Sequence, residues 1–159
     1  MLDKLNINRP DYRGGSLVNL IMSLKKGLGA PVQDYSECRS LQDVALNSYD
    51  NLVLLVVDGL GLQYVQATGG LYKTHCRDQL TSVFPSTTAT SITTFLTGQA
   101  PQQHGLTGWF TYLEEVGAVT AVLPCTIRGS QQSLVDRGVD IDRLYQHPSL
   151  FDELACQSV

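Results

Sequence analysis

Two short segments hold side chains whose type and placement suit phosphate chemistry. Asp58 follows the apolar run Leu52-Val53-Leu54-Leu55-Val56-Val57 and precedes Gly59. A carboxylate at the carboxyl end of a buried strand stands where open α/β sheets bind ligands, and it is a natural donor to a divalent cation. The second segment, Ser86-Thr87-Thr88-Ala89-Thr90, puts several hydroxyls at the start of an expected helix. Free backbone N–H groups and the helix dipole favour a phosphate there, and a hydroxyl activated by a metal could attack phosphorus in line. Plainer accounts serve each segment alone. Asp-Gly is a common turn dipeptide, and Ser and Thr are favoured helix caps without any catalytic role.

The elements that must position these groups can be read from the pattern. The run 52–57 is apolar at every position and rich in branched residues, which predicts a strand buried on both faces, as in a parallel sheet. Spacing predicts a helix over Leu60 to Thr68, closed by Gly69-Gly70, and a short strand over Leu80 to Phe84. Ser86 to Leu96 is dense in β-branched residues, which weakens a helix, yet Ala89, Ile92, Phe95 and Leu96 fall on one face and Gly98 and Pro101 give stop signals. Further helices are expected over Ser16 to Lys26, with Leu17, Leu20, Ile21 and Leu24 on one face, and over Pro148 to Ala155. A short one is expected around Leu41 to Leu46. Ala118 to Leu123 reads as a strand stopped by Pro124. Strands alternating with helices indicate an α/β fold with a mostly parallel sheet.

Composition bounds the function. The chain has 159 residues, 43% of them hydrophobic, and a net charge of -4. It can bury a core, and it shows no basic footprint for a nucleic acid polymer. Met1 to Gly15 lacks the apolar stretch of a signal peptide and the run 52–57 is too short to span a bilayer, so no membrane association and a cytoplasmic location are expected. Cys38, Cys76, Cys125 and Cys156 are widely spaced, with no Cys-x-x-Cys pair. They read as free, partly buried thiols.

Taken together, the apolar strand ending in Asp58, the run Phe84-Pro85-Ser86-Thr87-Thr88-Ala89-Thr90, the Leu96-Thr97-Gly98 segment and the turn Pro101-Gln102-Gln103-His104-Gly105-Leu106 resemble the type I phosphodiesterase/nucleotide pyrophosphatase branch of the alkaline phosphatase superfamily. The resemblance covers Asn51 to Gly108, with a weaker likeness in the Gly14 to Leu24 helix. It implies an alkaline-phosphatase-like three-layer sandwich, of which residues 1–159 are the N-terminal part of a single catalytic domain. In that superfamily a Ser or Thr nucleophile stands ten residues before the glycine of a Thr-Gly pair, and counting back from Gly98 gives Thr88, with Ser86, Thr87 and Thr90 as neighbours. Asp58 would be the first metal ligand and Thr88 both nucleophile and metal donor. Two divalent ions, commonly zinc, would be completed by later Asp and His residues.

Those later ligands are missing. His75, His104 and His147 are the only histidines, and none stands in an Asp-x-x-x-His or Asp-His pattern. His104 matches a position that shapes the loop, while His75 and His147 read as surface residues. Asp136, Asp140, Asp142 and Arg143 read as a solvated face. Gly108-Trp109 stands near where nucleotide pyrophosphatases carry a phosphate-binding Asn. The Cys/Ser-x-Pro-x-Arg signature of sulfatases is also absent. The expectation is a metal-dependent hydrolase of phosphodiester or nucleotide pyrophosphate bonds that works through a covalent phosphothreonine. As a fragment lacking later ligands, it would be inactive by itself and prone to self-association into a homo-oligomer. The alternatives are a non-catalytic anion-binding α/β domain and a phosphoryl transferase of the phosphomutase type.

Overall fold

The computed structural model describes residues 8–32, 34–130, 132–144 and 147–154. The chain divides into two compact units, Met1–Thr81 and Ser82–Val159.

In the first unit the principal element is α1, Leu17–Gly27. Its entrance is built by Asn19, whose Oδ1 accepts from the Ser16 backbone N–H at 3.1 Å and from the Ser16 hydroxyl at 2.6 Å. The Asn19 amide nitrogen donates to the carbonyls of Tyr12 and Ser36 at 3.0 and 2.7 Å. One fully buried side chain thus ties the helix start to two separate stretches of chain, and each of its polar atoms is satisfied as burial requires. The helix lies where its spacing predicts, but its buried stripe is Val18, Ile21, Met22 and Lys25, while Leu17, Leu20 and Leu24 are only half-buried. Asn19 decides this rotation, because its partners lie on that side. Short 3-10 turns at Arg39–Leu41 and Leu46–Ser48 replace the single short helix expected between them. Exposed ion pairs of Arg39 with Asp11 and of Arg77 with Asp43 fasten loops of this unit.

The apolar run 52–57 is not a strand. Val53 is 90% and Leu55 79% exposed, and the run makes no ladder with any described residue. A buried strand needs neighbours on both edges to take its N–H and C=O groups, and among the described residues none is supplied. Two helices follow, α2 (Leu62–Thr68) and α3 (Leu71–Thr74). They are separated by Gly69 and Gly70, both at positive φ, so the glycine stop signal is used as expected. Of the strand expected at Leu80 to Phe84 only a single parallel bridge forms, Ser16 with Thr81.

The second unit begins with α4, Thr88–Thr97, and α5, Pro101–His104, each closed by a left-handed glycine, Gly98 and Gly105. A three-stranded antiparallel sheet follows, with strands β1 (Phe110–Leu113), β2 (Ala118–Ala121) and β3 (Thr126–Ile127) in the order β1-β2-β3. Phe110 stands opposite Ala121, and Ala121 opposite Thr126. Ala89 of α4 packs with Leu106, Val122 and Leu123 to make a small apolar core. Two one-turn helices, α6 (Ile141–Leu144) and α7 (Leu150–Glu153), complete the unit. Ser149 caps α7, its hydroxyl accepting from the Asp152 N–H, so the helix opens where the sequence places it, while Ala155 lies outside the described residues.

The mixed α/β class inferred from the sequence holds, but the only sheet among the described residues is antiparallel. Strand β2 is shorter than expected because the chain turns at Val122 to Cys125, before Pro124 can act as the stop. Strand β1 has no counterpart in the sequence reading.

Candidate functional site

The two segments singled out for chemistry fall in different units, Asp58 in the first and Thr88 in the second. Asp58 and Gly59 form a turn at the end of the apolar run, and Gly59 adopts a φ of 76°, a backbone that Cβ-bearing residues resist. The Gly61 N–H donates to the Gly59 carbonyl at 3.1 Å and Gly61 caps α2, so the exposed Asp58 sits in a turn that leads from the apolar run into a helix.

The hydroxyl segment is sorted by the geometry of a helix start. Thr87 is the N-cap of α4, with extended backbone and its Oγ1 accepting from the Thr90 N–H at 3.3 Å. The Thr87 and Thr90 hydroxyls are also 2.6 Å apart, and Thr90 is fully buried. These two side chains therefore serve the cap. Ser86 and Thr88 are exposed, and Thr88 occupies the first helical position, where orphan backbone N–H groups collect. Farther along, the Thr93 and Thr97 hydroxyls donate to the carbonyls of Ala89 and Thr93, each at 2.8 Å. That back-bonding satisfies hydroxyls in a helix made almost wholly of weak helix formers.

The face of α4 that is buried differs from the expected apolar one. Ala89, Thr90 and Thr94 are inside, Ile92 and Phe95 are half-buried and Leu96 is exposed. The reason is His104 on α5, which is only 6% exposed. Its Nδ1 accepts from the Leu106 N–H at 3.1 Å, so in the neutral ring Nε2 carries the proton and points to the Thr94 hydroxyl 3.4 Å away. Burial, reinforced by the nearby His147, lowers the His104 pKa to about 4, against weaker opposing hydrogen bonds from the backbone of His104 itself and of Thr90. A neutral imidazole with both nitrogens committed holds the Pro101 to Leu106 turn against α4, the loop-shaping role expected of it. His75 is exposed and His147 half-buried.

Asp136, Asp140 and Asp142 are all exposed, and Asp140 accepts from the Arg143 N–H at 3.2 Å as a local cap. They form a solvated surface, as read. Of the thiols, Cys38 is buried, Cys125 half-buried and Cys76 exposed, all three free, while Cys156 lies outside the described residues.

Among the described residues no group of three or more His, Cys, Asp or Glu side chains is placed to hold a metal ion. Asp58 and Thr88 Oγ1 are two donors in separate units, short of the four a tetrahedral zinc site takes. The described residues do not by themselves fit the two-metal centre that the resemblance implies. No helix among them is long and apolar enough to cross a membrane.

The sequence reading missed the hairpin built by β1 and β2 and the cleft beside it, formed around Trp109, Phe110 and Arg128. The signal available was the Phe-Thr-Tyr-Leu run, four residues rich in strand formers, followed by Gly117 before Ala118.

The family model for type I phosphodiesterase / nucleotide pyrophosphatase matches residues 52–125, just under half of the chain. The matched stretch contains Asp58, Thr88 and His104, and it runs beyond Gly108 through the hairpin to Cys125. The family resemblance drawn from the motifs is thereby supported by an independent comparison, and the enzymes of that family act on phosphoester bonds. No curated protein and no solved structure matches the chain.

Proposed function

We propose that this chain carries the nucleophile-bearing part of a hydrolase of phosphodiester or nucleotide pyrophosphate bonds, with Thr88 as the nucleophile. The observation behind the reading is the family match over residues 52–125, a stretch that contains Thr88. Thr88 is exposed on the first turn of a ten-residue helix, where N–H groups and the dipole favour a phosphate oxygen.

In this reading Thr88 Oγ1 forms a bond to phosphorus as the bond from phosphorus to the leaving oxygen breaks, and the hydroxyl proton passes to solvent. Water then attacks the phosphothreonine, the Oγ1–phosphorus bond breaks, and Thr88 regains its proton. Asp58 and Thr88 are the donors this chain would bring to a divalent metal centre, zinc by the resemblance. The substrate is a phosphate ester or nucleotide.

The test is release of p-nitrophenolate from bis(p-nitrophenyl) phosphate by the natural protein with added zinc. Thr88→Ala should lower kcat by more than about a thousandfold, as loss of a covalent nucleophile does, and Thr87→Ala far less. Full activity in Thr88→Ala would refute the assignment.

A second reading, a non-catalytic anion-binding domain, is favoured by the absence of a metal-holding cluster among the described residues. It predicts phosphate binding without metal and no turnover under any metal condition.

A further inference from the structure

In the first unit, Leu52 to Val57 are apolar at every position, and no backbone N–H or C=O of the run is hydrogen-bonded to another described residue. Natural edge strands are blunted by Lys, Pro or a bulge, whereas this run holds no charge, no Pro and no Gly. Exposure alternates along it: Val53 and Leu55 are 90% and 79% exposed, Leu54 and Val56 42% and 41%. A period of two is the signature of an extended chain, so Val53, Leu55 and Val57 share the outer row. The run is a strand in shape and composition that has an outer apolar row and no neighbour.

A second copy fits this edge, and the sequence selects the register. Two identical strands paired antiparallel about a two-fold axis are self-complementary, each offering the other the same donors and acceptors. The axis stands normal to the ribbon, so each residue is opposed by one an even number of positions away. Centring the pair on Leu54 would set Asp50 opposite Asp58 and Asn51 opposite Val57, a like-charge contact and a polar residue against an apolar one. Centring it on Leu55 sets Val53 opposite Val57, Leu55 opposite itself and Leu54 opposite Val56, and takes the two carboxylates out of opposition. The outer rows of both copies then join in one apolar strip. Overlap of the two runs buries on the order of 1,000 Å² in all, at the small end of specific interfaces, which suits a dimer that forms at micromolar concentration.

We propose that residues 52–57 are the interface of a symmetric dimer in which the runs of two copies pair antiparallel about Leu55. The inference goes beyond the phosphoester reading and does not rest on it, since no residue of α4 enters the pairing.

Sedimentation velocity of the chain from about 1 to about 200 μM should show a monomer–dimer equilibrium and no larger species. Leu55→Lys sets two ammonium groups face to face on the axis and should raise the dissociation constant at least about tenfold. Tyr72→Lys, at a side chain 61% exposed on α3, should leave it unchanged, and far-UV circular dichroism confirms that each variant folds. Cross-linking reads the register. In a parent with the exposed Cys76 replaced by Ser, Leu55→Cys treated with copper phenanthroline should give a disulfide-linked dimer, because opposed residues of an antiparallel pair have Cα atoms about 4.5–5.5 Å apart, within disulfide reach. The parent and Val53→Cys, whose two copies stand about four residues apart along the ribbon, about 13 Å, should not cross-link. A monomer at every concentration, a series of larger species, or an unchanged constant in folded Leu55→Lys overturns the proposal. Equal weakening by Tyr72→Lys, or Val53→Cys cross-linking as well as Leu55→Cys, overturns it too, because the contact would then lie elsewhere or in another register.

Discussion

Protonation of His104 should unfold the second unit's helix pair, and the size of the effect follows from the ring's surroundings. In the fold the imidazole is neutral, with a pKa lowered to about 4 from 6.5, chiefly by burial. In the unfolded chain it titrates at its ordinary value. Between these two values the unfolded state binds more protons than the folded one, so stability rises with pH across the window. The stabilisation is complete above pH about 6.5 and is lost as pH falls towards 4. A gap of about 2.5 pKa units corresponds to at most about 3 kcal/mol, of which about 2 kcal/mol lies between pH 7 and 4.5. The structure adds a reason for the direction: a proton on Nδ1 would face the Leu106 N–H, replacing an acceptor by a donor. The assay is urea unfolding of the wild type and of His104→Gln at steps from pH 7.5 to 4.5. Gln is uncharged throughout, and His75 and His147 are common to both proteins. His104→Gln loses stability at neutral pH through altered packing, so the decisive quantity is the difference between the two pH slopes. The wild type should lose about 2 kcal/mol more than the variant on acidification. Parallel curves, within about 0.5 kcal/mol, would refute the claim that a buried neutral His104 governs the acid limb.

Three further outcomes are expected. Asn19→Ala removes a buried side chain that satisfies two backbone carbonyls and the Ser16 N–H, and should destabilise the first unit by about 2–4 kcal/mol in denaturant unfolding; a cost under about 1 kcal/mol would show that the network is not a structural hub. Gly27→Ala should destabilise despite the better helix propensity of Ala, because the new Cβ would lie 2.5 Å from Leu46 Cβ; overpacking costs about 1–3 kcal/mol against a gain of up to about 1, and a raised melting temperature would contradict this packing. Val53→Lys combined with Leu55→Lys should change stability by no more than about 0.5 kcal/mol per site and reduce any self-association seen by sedimentation, whereas a loss of several kcal/mol would mean that these side chains are buried in solution.

Much of the candidate site was legible because it is local. Helix starts at Ser16 and Ser149 and glycine stops at Gly69 and Gly98 depend on residues within a few positions of one another, and the motifs around Asp58 and Thr88 are likewise contiguous. Which threonine of the Ser86 to Thr90 run faces solvent was not legible, since its four hydroxyl residues offer similar chemistry until the cap geometry engages Thr87 and Thr90 and leaves Thr88 exposed.

By itself the amino-acid sequence determined the mixed α/β class, the places of α1, α2, α4 and α7 and the family resemblance over Asn51 to Gly108, all of which rest on short-range spacing. Tertiary structure alone decided that α1 turns its Val18 and Asn19 side inward, that the threonine face of α4 is buried against His104, and that Phe110 pairs across to Ala121 beside an open cleft. It also left Val53 to Val57 exposed and without a ladder partner among the described residues, although no stretch of the sequence looks more like a buried strand. The physical reason is the same in each case. A cap is satisfied by its neighbours in the chain, whereas a strand and a buried helix face exist only when distant residues supply the hydrogen bonds and the apolar surface that complete them.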